Sequence, residues 1–198
     1  MSADMFGALL AYAFVTSVTP GPNNFMLLAS GVNFGFVRTI PHMFGISVGF
    51  FVLLLAVGFG LGAVFTAFPA LHIVLKVIGA AYLIYLAWRI ATSRSLGSAR
   101  EVAAVPLTFL QAAAFQWVNP KAWVMALTAM ALYTNADRPF VSIWIVAAAF
   151  ALVNLPSVSS WAGFGTAMRG FLSDPARLRW FNMAMGVLLV LTLWPMIR

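Results

Sequence analysis

Cysteine is absent from this 198-residue chain, and charge is scarce. The first absence removes a disulfide framework, a thiolate metal site and a cysteine nucleophile. Charged residues make up 8% of the chain, where a soluble domain carries about 25%. Too few polar groups remain to cover a water-facing surface. The acids are Asp4, Glu101, Asp137 and Asp174, each expected at a helix end or in a loop. No carboxylate is therefore expected at membrane depth to act as a proton relay, cation ring or metal cage. Segments of about ten residues with alternating polarity are also missing, which excludes a membrane β-barrel.

What is present is apolar: 63% of the residues are hydrophobic, and Ile40 to Leu75 contains no Lys, Arg, Asp or Glu. A helix crosses the hydrocarbon core with roughly 20 residues. The expected fold is an all-α integral membrane protein, a single transmembrane domain of six spans. They run from about Met5 to Val32, Thr39 to Phe65, Ala70 to Ile90, Pro106 to Tyr133, Phe140 to Met168 and Leu178 to Ile197. Residues 1–90 form one half and 105–198 the other, joined by a polar linker, 91–104, with Arg94, Arg100 and Glu101. No Lys or Arg precedes Arg38, so the first segment lacks the basic region of a secretory signal and is expected to stay.

Arginines set the orientation. Arg38, Arg89, Arg94, Arg100, Arg169, Arg177 and Arg179 fall on one side of a six-span chain, and only Arg138 and Arg198 on the other. The linker is then cytoplasmic and both termini are non-cytoplasmic. A net charge of +7 spread over loops suits anionic lipid headgroups and gives no reason to expect nucleic acid.

Three spans per half place the second half upside down, the geometry of an inverted repeat. Spans one and four are both broken, by Thr19-Pro20-Gly21-Pro22-Asn23-Asn24 and by Asn119-Pro120. Pro22 and Pro120 lie almost half the chain apart, and Pro41 and Pro139 repeat that offset, each at the expected start of the following helix. A helix-interior proline costs roughly 3 kcal/mol. Non-helical backbone at membrane depth survives only where protein or a watery cavity satisfies it. The candidate substrate site is therefore Pro20, Gly21, Pro22, Asn23 and Asn24 with Asn119, Pro120 and Lys121. Half-helix N-termini attract an anionic group, unwound carbonyls an ammonium, and a zwitterion carries both. The competing reading is two packing kinks.

Lys121 lies deep in span four, where a cation is functional by default, unless its stem carries it to the interface. Asn154-Leu155-Pro156-Ser157 is a third polar interruption. Asn154 and Ser157 either line the pathway or relieve a proline kink. Proton or charge coupling, with no acid in reach, falls to Lys76, His42, His72, Lys121 or the substrate itself. Each histidine lies near a helix start, where a satisfied interfacial imidazole is the plainer expectation. Gly45 and Gly49, then Gly58 and Gly62, permit close helix packing. Trp88, Trp144, Trp180 and Trp194 suit interfacial belts.

At these residues the chain resembles the LysE/RhtB family of amino-acid exporters. The resemblance rests on Thr19 to Asn24 with Ala29-Ser30-Gly31 and Gly35-Phe36. Leu75-Lys76 with Gly79-Ala80-Ala81-Tyr82-Leu83 and Trp88 adds to it, as does Asn119-Pro120-Lys121-Ala122-Trp123. It implies export of amino acids such as lysine, homoserine, threonine or cysteine from the bacterial cytoplasm through the inner membrane. It also implies a secondary, proton-coupled mechanism of the antiporter type. Asn154-Leu155-Pro156-Ser157 is similar to members that export cysteine and O-acetylserine. No cofactor, resident metal or catalytic residue is expected, and nothing resembles a nucleotide-binding loop. The expected partners are an amino-acid solute and the bilayer, with a homodimer left open. An ion or metal-cation transporter or channel would need carboxylate rings or His/Cys ligands, and an intramembrane enzyme a nucleophile and base at matching depth.

Overall fold

A computed structural model describes residues 1–93, 96, 105–135 and 137–194, and for 64–66, 69 and 72 the backbone alone. Most of the expected linker, with Arg94, Arg100 and Glu101, lies outside the described residues, as do Arg198 and the side chain of His72. Every regular element among the described residues is helical. α1 (Ala3–Val18) and α2 (Pro22–Phe34) are followed by α3 (Phe36–Ala56), a π-turn (Val57–Leu61) and α4 (Gly62–Ala67). α5 (Pro69–Thr92) precedes α6 (Phe109–Phe115), a 3-10 turn (Gln116–Val118) and α7 (Pro120–Tyr133). α8 (Pro139–Ala167), a 3-10 turn (Phe171–Ser173) and α9 (Pro175–Leu191) complete the chain.

Both expected breaks are present. Residues 19–21 separate α1 from α2 with a bend of 56°. The 3-10 turn and Asn119 separate α6 from α7. Among the described residues, three helical stretches are long and apolar enough to cross a membrane: Phe36–Leu61, Ile73–Thr92 and Pro139–Ala167. The bent pair α1–α2 makes a fourth if it is one span. α9 runs for 17 residues to Leu191, and 195–197 of the expected last segment lie outside the described residues. Trp88, Trp144, Trp180 and Trp194 are all exposed, as belt residues are.

Three local expectations are corrected. Pro41 does not begin a helix: α3 starts at Phe36, because Gly35 takes a left-handed φ of 83° that ends α2 and launches α3 at once. Pro139 does open α8. The second segment is not one uniform helix to Phe65, since Gly60 at φ 108° kinks it inside the π-turn. Asn154 to Ser157 do not interrupt α8, which runs through Pro156 unbroken. Ser157 Oγ donates 2.8 Å to Val153 O, steadying the backbone one residue from the carbonyl that Pro156 leaves without its donor.

Helices from the two halves of the chain interlock. α8 packs on α1, α2 and α3, α6 on α3, and α9 on α5. At the α2–α8 crossing, a Cβ on Gly31 would collide with Ala162 O, and one on Gly165 with Leu28 O. The two backbones therefore touch with no side-chain layer between them. Gly45 and Gly49 do the same for α3 against the backbone at Phe109 and Ala113 of α6, as their spacing predicts. Two large apolar clusters fill most of the interior, with two smaller ones around Leu28 and Val32. Of the large two, one contains Leu9, Ala13, Phe50, Leu53, Ala122, Trp123 and Phe150, and the other Met26, Leu27, Met43, Ile46, Phe115, Val158 and Ala162.

Candidate functional site

The order of residues along each helix puts a polar layer between those clusters. On α3, Ser47 separates Met43 and Ile46 from Phe50 and Leu53. On α8, Asn154 separates Phe150 from Val158, and Ser17 and Asn24 stand where α1 gives way to α2. Gln116 and Asn119 take the same place between Phe115 and Ala122. All of these polar side chains are buried. Buried polar atoms need partners, and here they largely find one another.

The first break shows why. Pro20 and Pro22 remove the N–H groups that would bond Thr16 O and Val18 O in a continuous helix. Every carbonyl from Val15 to Pro20 nevertheless has a donor. Thr19 Oγ1 donates to Val15 O (2.5 Å) and Thr16 O (3.1 Å). Asn24 Nδ2 donates to Ser17 O (2.9 Å) and Thr19 O (2.7 Å). Trp161 of α8 donates its indole N–H to Val18 O at 3.1 Å. The Lys121 ammonium of α7 donates to Thr19 O at 2.7 Å and to Pro20 O at 3.4 Å. Each of these carbonyls thus already has a donor within the protein.

The second break closes locally. Pro120 deprives Gln116 O of its donor, and Asn119 N–H takes that place at 3.4 Å. Asn119 caps α7 by accepting from Lys121 N–H at 3.2 Å, with Pro120 at the start of the helix. Trp123 donates its indole N–H to Trp117 O at 2.8 Å.

The breaks meet through side chains. Asn23 Nδ2 donates to Gln116 Oε1 at 2.8 Å, and Gln116 Nε2 returns a bond to Asn23 Oδ1 at 3.1 Å. Asn154 links three helices: its Nδ2 donates to Ser17 Oγ, and its Oδ1 accepts from Ser47, each at 3.1 Å. A small cavity lies among Ser17, Asn23, Asn24, Gln116, Lys121 and Asn154, over an apolar floor of Phe50, Met125 and Val158. Half-buried Lys121 supplies its positive charge, and Gly21 gives the lysine stem room, since a Cβ there would press on Lys121 Cδ. The N-terminus of α2, with no side-chain cap at Gly21, lies against the same space. Such a chamber suits a small molecule bearing a carboxylate and further hydrogen-bonding groups.

The family model for LysE type translocators matches residues 14–192. The chain belongs to this family. Cysteine/O-acetylserine efflux proteins of Escherichia coli K12 and Shigella sonnei Ss046 are each 30% identical to it over 195 residues, covering 96% of either chain. No solved structure gives a significant match. As a LysE type translocator with apolar spanning helices, the protein is a multi-pass membrane transporter and not an enzyme.

In this translocator, Gly21, Asn23, Asn24, Asn119, Lys121 and Asn154 come together around one cavity. Pro20 joins through its carbonyl, while Pro22 and Pro120 open α2 and α7. Ser157 is buried but spends its hydroxyl within α8. Lys76 lies exposed on α5, away from the chamber. His42 is not the satisfied interfacial residue its position suggests. It is buried among helices, with no partner for either ring nitrogen among the described residues, because α3 starts early enough to carry it inside. Sequence reasoning missed Ser17, Ser47, Gln116 and Trp161. Gln116, an amide in an apolar stretch three residues before Asn119, carried a readable signal. Trp161 carried none.

Proposed function

We propose that this translocator exports a small zwitterionic amino acid from the bacterial cytoplasm across the inner membrane, by a secondary mechanism coupled to the proton gradient. The observation that carries this reading is the bridge from the Lys121 ammonium to Thr19 O and Pro20 O, at the wall of a buried polar chamber with no acid among its lining residues. An ammonium has three N–H donors. Two hold the first break, and the third is left for a substrate carboxylate, assisted by the dipole of α2. The substrate's own ammonium is received by lining oxygens with a lone pair to spare, among them the hydroxyls of Thr16 and Ser17 and the Asn154 amide oxygen. A chamber without a carboxylate favours a neutral side chain, and the named function of the relatives makes cysteine and O-acetylserine the first solutes to test.

Six spans in a 3+3 inverted repeat, with residues 91–104 cytoplasmic and both termini outside, fit this reading. The contact of α1 with α8 is answered by that of α6 with α3, and α3–α8 and α5–α9 are the self-matching pairs. Proton coupling falls to buried His42, half-buried Lys121, His72 or the substrate itself. Solute and bilayer are the partners in this scheme, and a second copy of the chain is a third.

The test is efflux of labelled amino acids from inside-out vesicles containing the protein, with and without a pH gradient. Gradient-dependent movement of cysteine or O-acetylserine is expected, with loss in Lys121→Ala at normal membrane insertion. No movement of any amino acid, or full transport by the variant, rejects the assignment.

A further inference from the structure

A serine or threonine hydroxyl inside a helix can donate to the carbonyl one turn back. Thr16 does so to Tyr12 O at 2.6 Å, and Ser157 to Val153 O at 2.8 Å. Ser17 and Ser47 do not. Among the described residues, the one hydrogen bond that each of these hydroxyls makes is to Asn154, at 3.1 Å. All three residues are buried, on α1, α3 and α8.

The amide gives this contact a direction. Asn154 offers an acceptor at Oδ1 and donors at Nδ2, and a hydroxyl carries one proton and two lone pairs. Ser47 spends its proton on Oδ1, and Nδ2 spends one of its own on a lone pair of Ser17 Oγ. The Ser17 proton is left without an acceptor among the described residues. With the amide turned over, Ser17 would be the donor and the Ser47 proton the unspent one. The two ends are not equivalent, because Ser17 and Asn154 line the Lys121 chamber while Ser47 is buried outside its lining. An unsatisfied buried donor is costly, so the favoured orientation puts the spare proton at the cavity, where a ligand can take it. Neighbouring donors are spent on the protein. Thr16 bonds within α1, the Asn24 amide donates to Ser17 O and Thr19 O, and the Gln116 amide to Asn23 and Ala112 O.

We propose that Ser17 is the specificity-determining donor of the chamber, and that Ser47, through Asn154, is the positioning residue that frees its proton for an acceptor on the substrate's β-carbon. This rests on the exporter reading, which gives the substrate carboxylate to Lys121. Ser17 Oγ keeps one lone pair for the substrate ammonium. That ammonium and a β-oxygen or β-sulfur sit on adjacent carbons, within reach of a single hydroxyl. An apolar pocket tells isosteres apart weakly, whereas a dedicated donor is left unpaired when the acceptor is missing. The chamber therefore selects amino acids with oxygen or sulfur at the β-carbon over aliphatic ones of the same shape.

L-Serine and L-2-aminobutyrate differ only by a hydroxyl in place of a methyl. Equilibrium binding of each labelled compound is measured on the full-length protein in nanodiscs. The unaltered protein is expected to bind serine about fivefold to tenfold more tightly, the scale of one net hydrogen bond. Ser17→Ala brings the ratio close to one. Ser47→Ala lowers it too, although Ser47 lies outside the lining, because the released amide turns its oxygen to Ser17 and consumes the proton. Ser47→Thr, which keeps the hydroxyl, restores the preference. If Ser47→Thr fails to insert, the ratios of the two alanine variants decide. No preference in the unaltered protein, or one that survives Ser17→Ala, overturns the proposal. So does an equal loss of both ligands in Ser47→Ala with the ratio unchanged, the mark of a merely structural role. The assay needs no movement across the membrane. Efflux of cysteine or O-acetylserine without a serine preference therefore removes the relay alone, and a preference without efflux of any amino acid removes the exporter reading alone.

Discussion

The two breaks remove the same kind of hydrogen bond and replace it in opposite ways. At Asn119-Pro120 the substitutes are local: a cap from Asn119, a 3-10 bond to Gln116 O and an indole six residues on. At Thr19–Gly21 some substitutes arrive from far along the chain, from Lys121 on α7 and Trp161 on α8. The second break can form as soon as its own segment is made. The first is complete only when α7 and α8 have docked, so its geometry reports on the whole assembly. A site that must change shape during transport is better placed on the dependent break than on the self-sufficient one.

Three substitutions test that contrast. Asn24→Leu removes the bonds to Ser17 O and Thr19 O together, leaving only Lys121 on the latter. The loss expected is about 2–4 kcal/mol, since orphaning Ser17 O costs about 1–3 kcal/mol and losing one of two bonds to Thr19 O about 0.5–1.5 kcal/mol more. Denaturant titration of the purified protein in micelles reads it. A loss no larger than that of a cap would show that the first break also closes itself. Trp161→Phe keeps the ring packing and orphans Val18 O, for about 1–2 kcal/mol. Its melting temperature should fall visibly while α8 stays helical by circular dichroism. Asn119→Ala removes a cap, worth typically about 1 kcal/mol, and should be the mildest of the three in the same titration. If it proves the most damaging, the roles of the two breaks are reversed.

The breaks themselves were legible in the sequence, because proline has a fixed backbone consequence wherever it sits. Asn119 as a cap and Gly45 and Gly49 as packing positions were legible for the same reason: each follows from local chemistry. Pro41 and Pro156 misled, since proline's effect depends on what surrounds it. Gly35 had already begun α3 ahead of Pro41, and α8 carries Pro156 without breaking. Gln116, Ser17, Ser47 and Trp161 become site residues only through contacts at sequence separations of 93 or more. Periodicity cannot encode such pairings. The burial of His42 depended on a helix boundary six residues away, and boundaries are what sequence patterns fix least well.

Gly31 and Gly165 let two main chains lie against each other with nothing between them to slide on. Whatever swing opens one mouth of the transporter must carry α2 and α8 as a single beam. Ser30 and Asn33 at one end then travel with Asn154 at the other. That beam meets α1 at residues 19–21, where the chain is already bent into an elbow and held partly by bonds borrowed from α7 and α8.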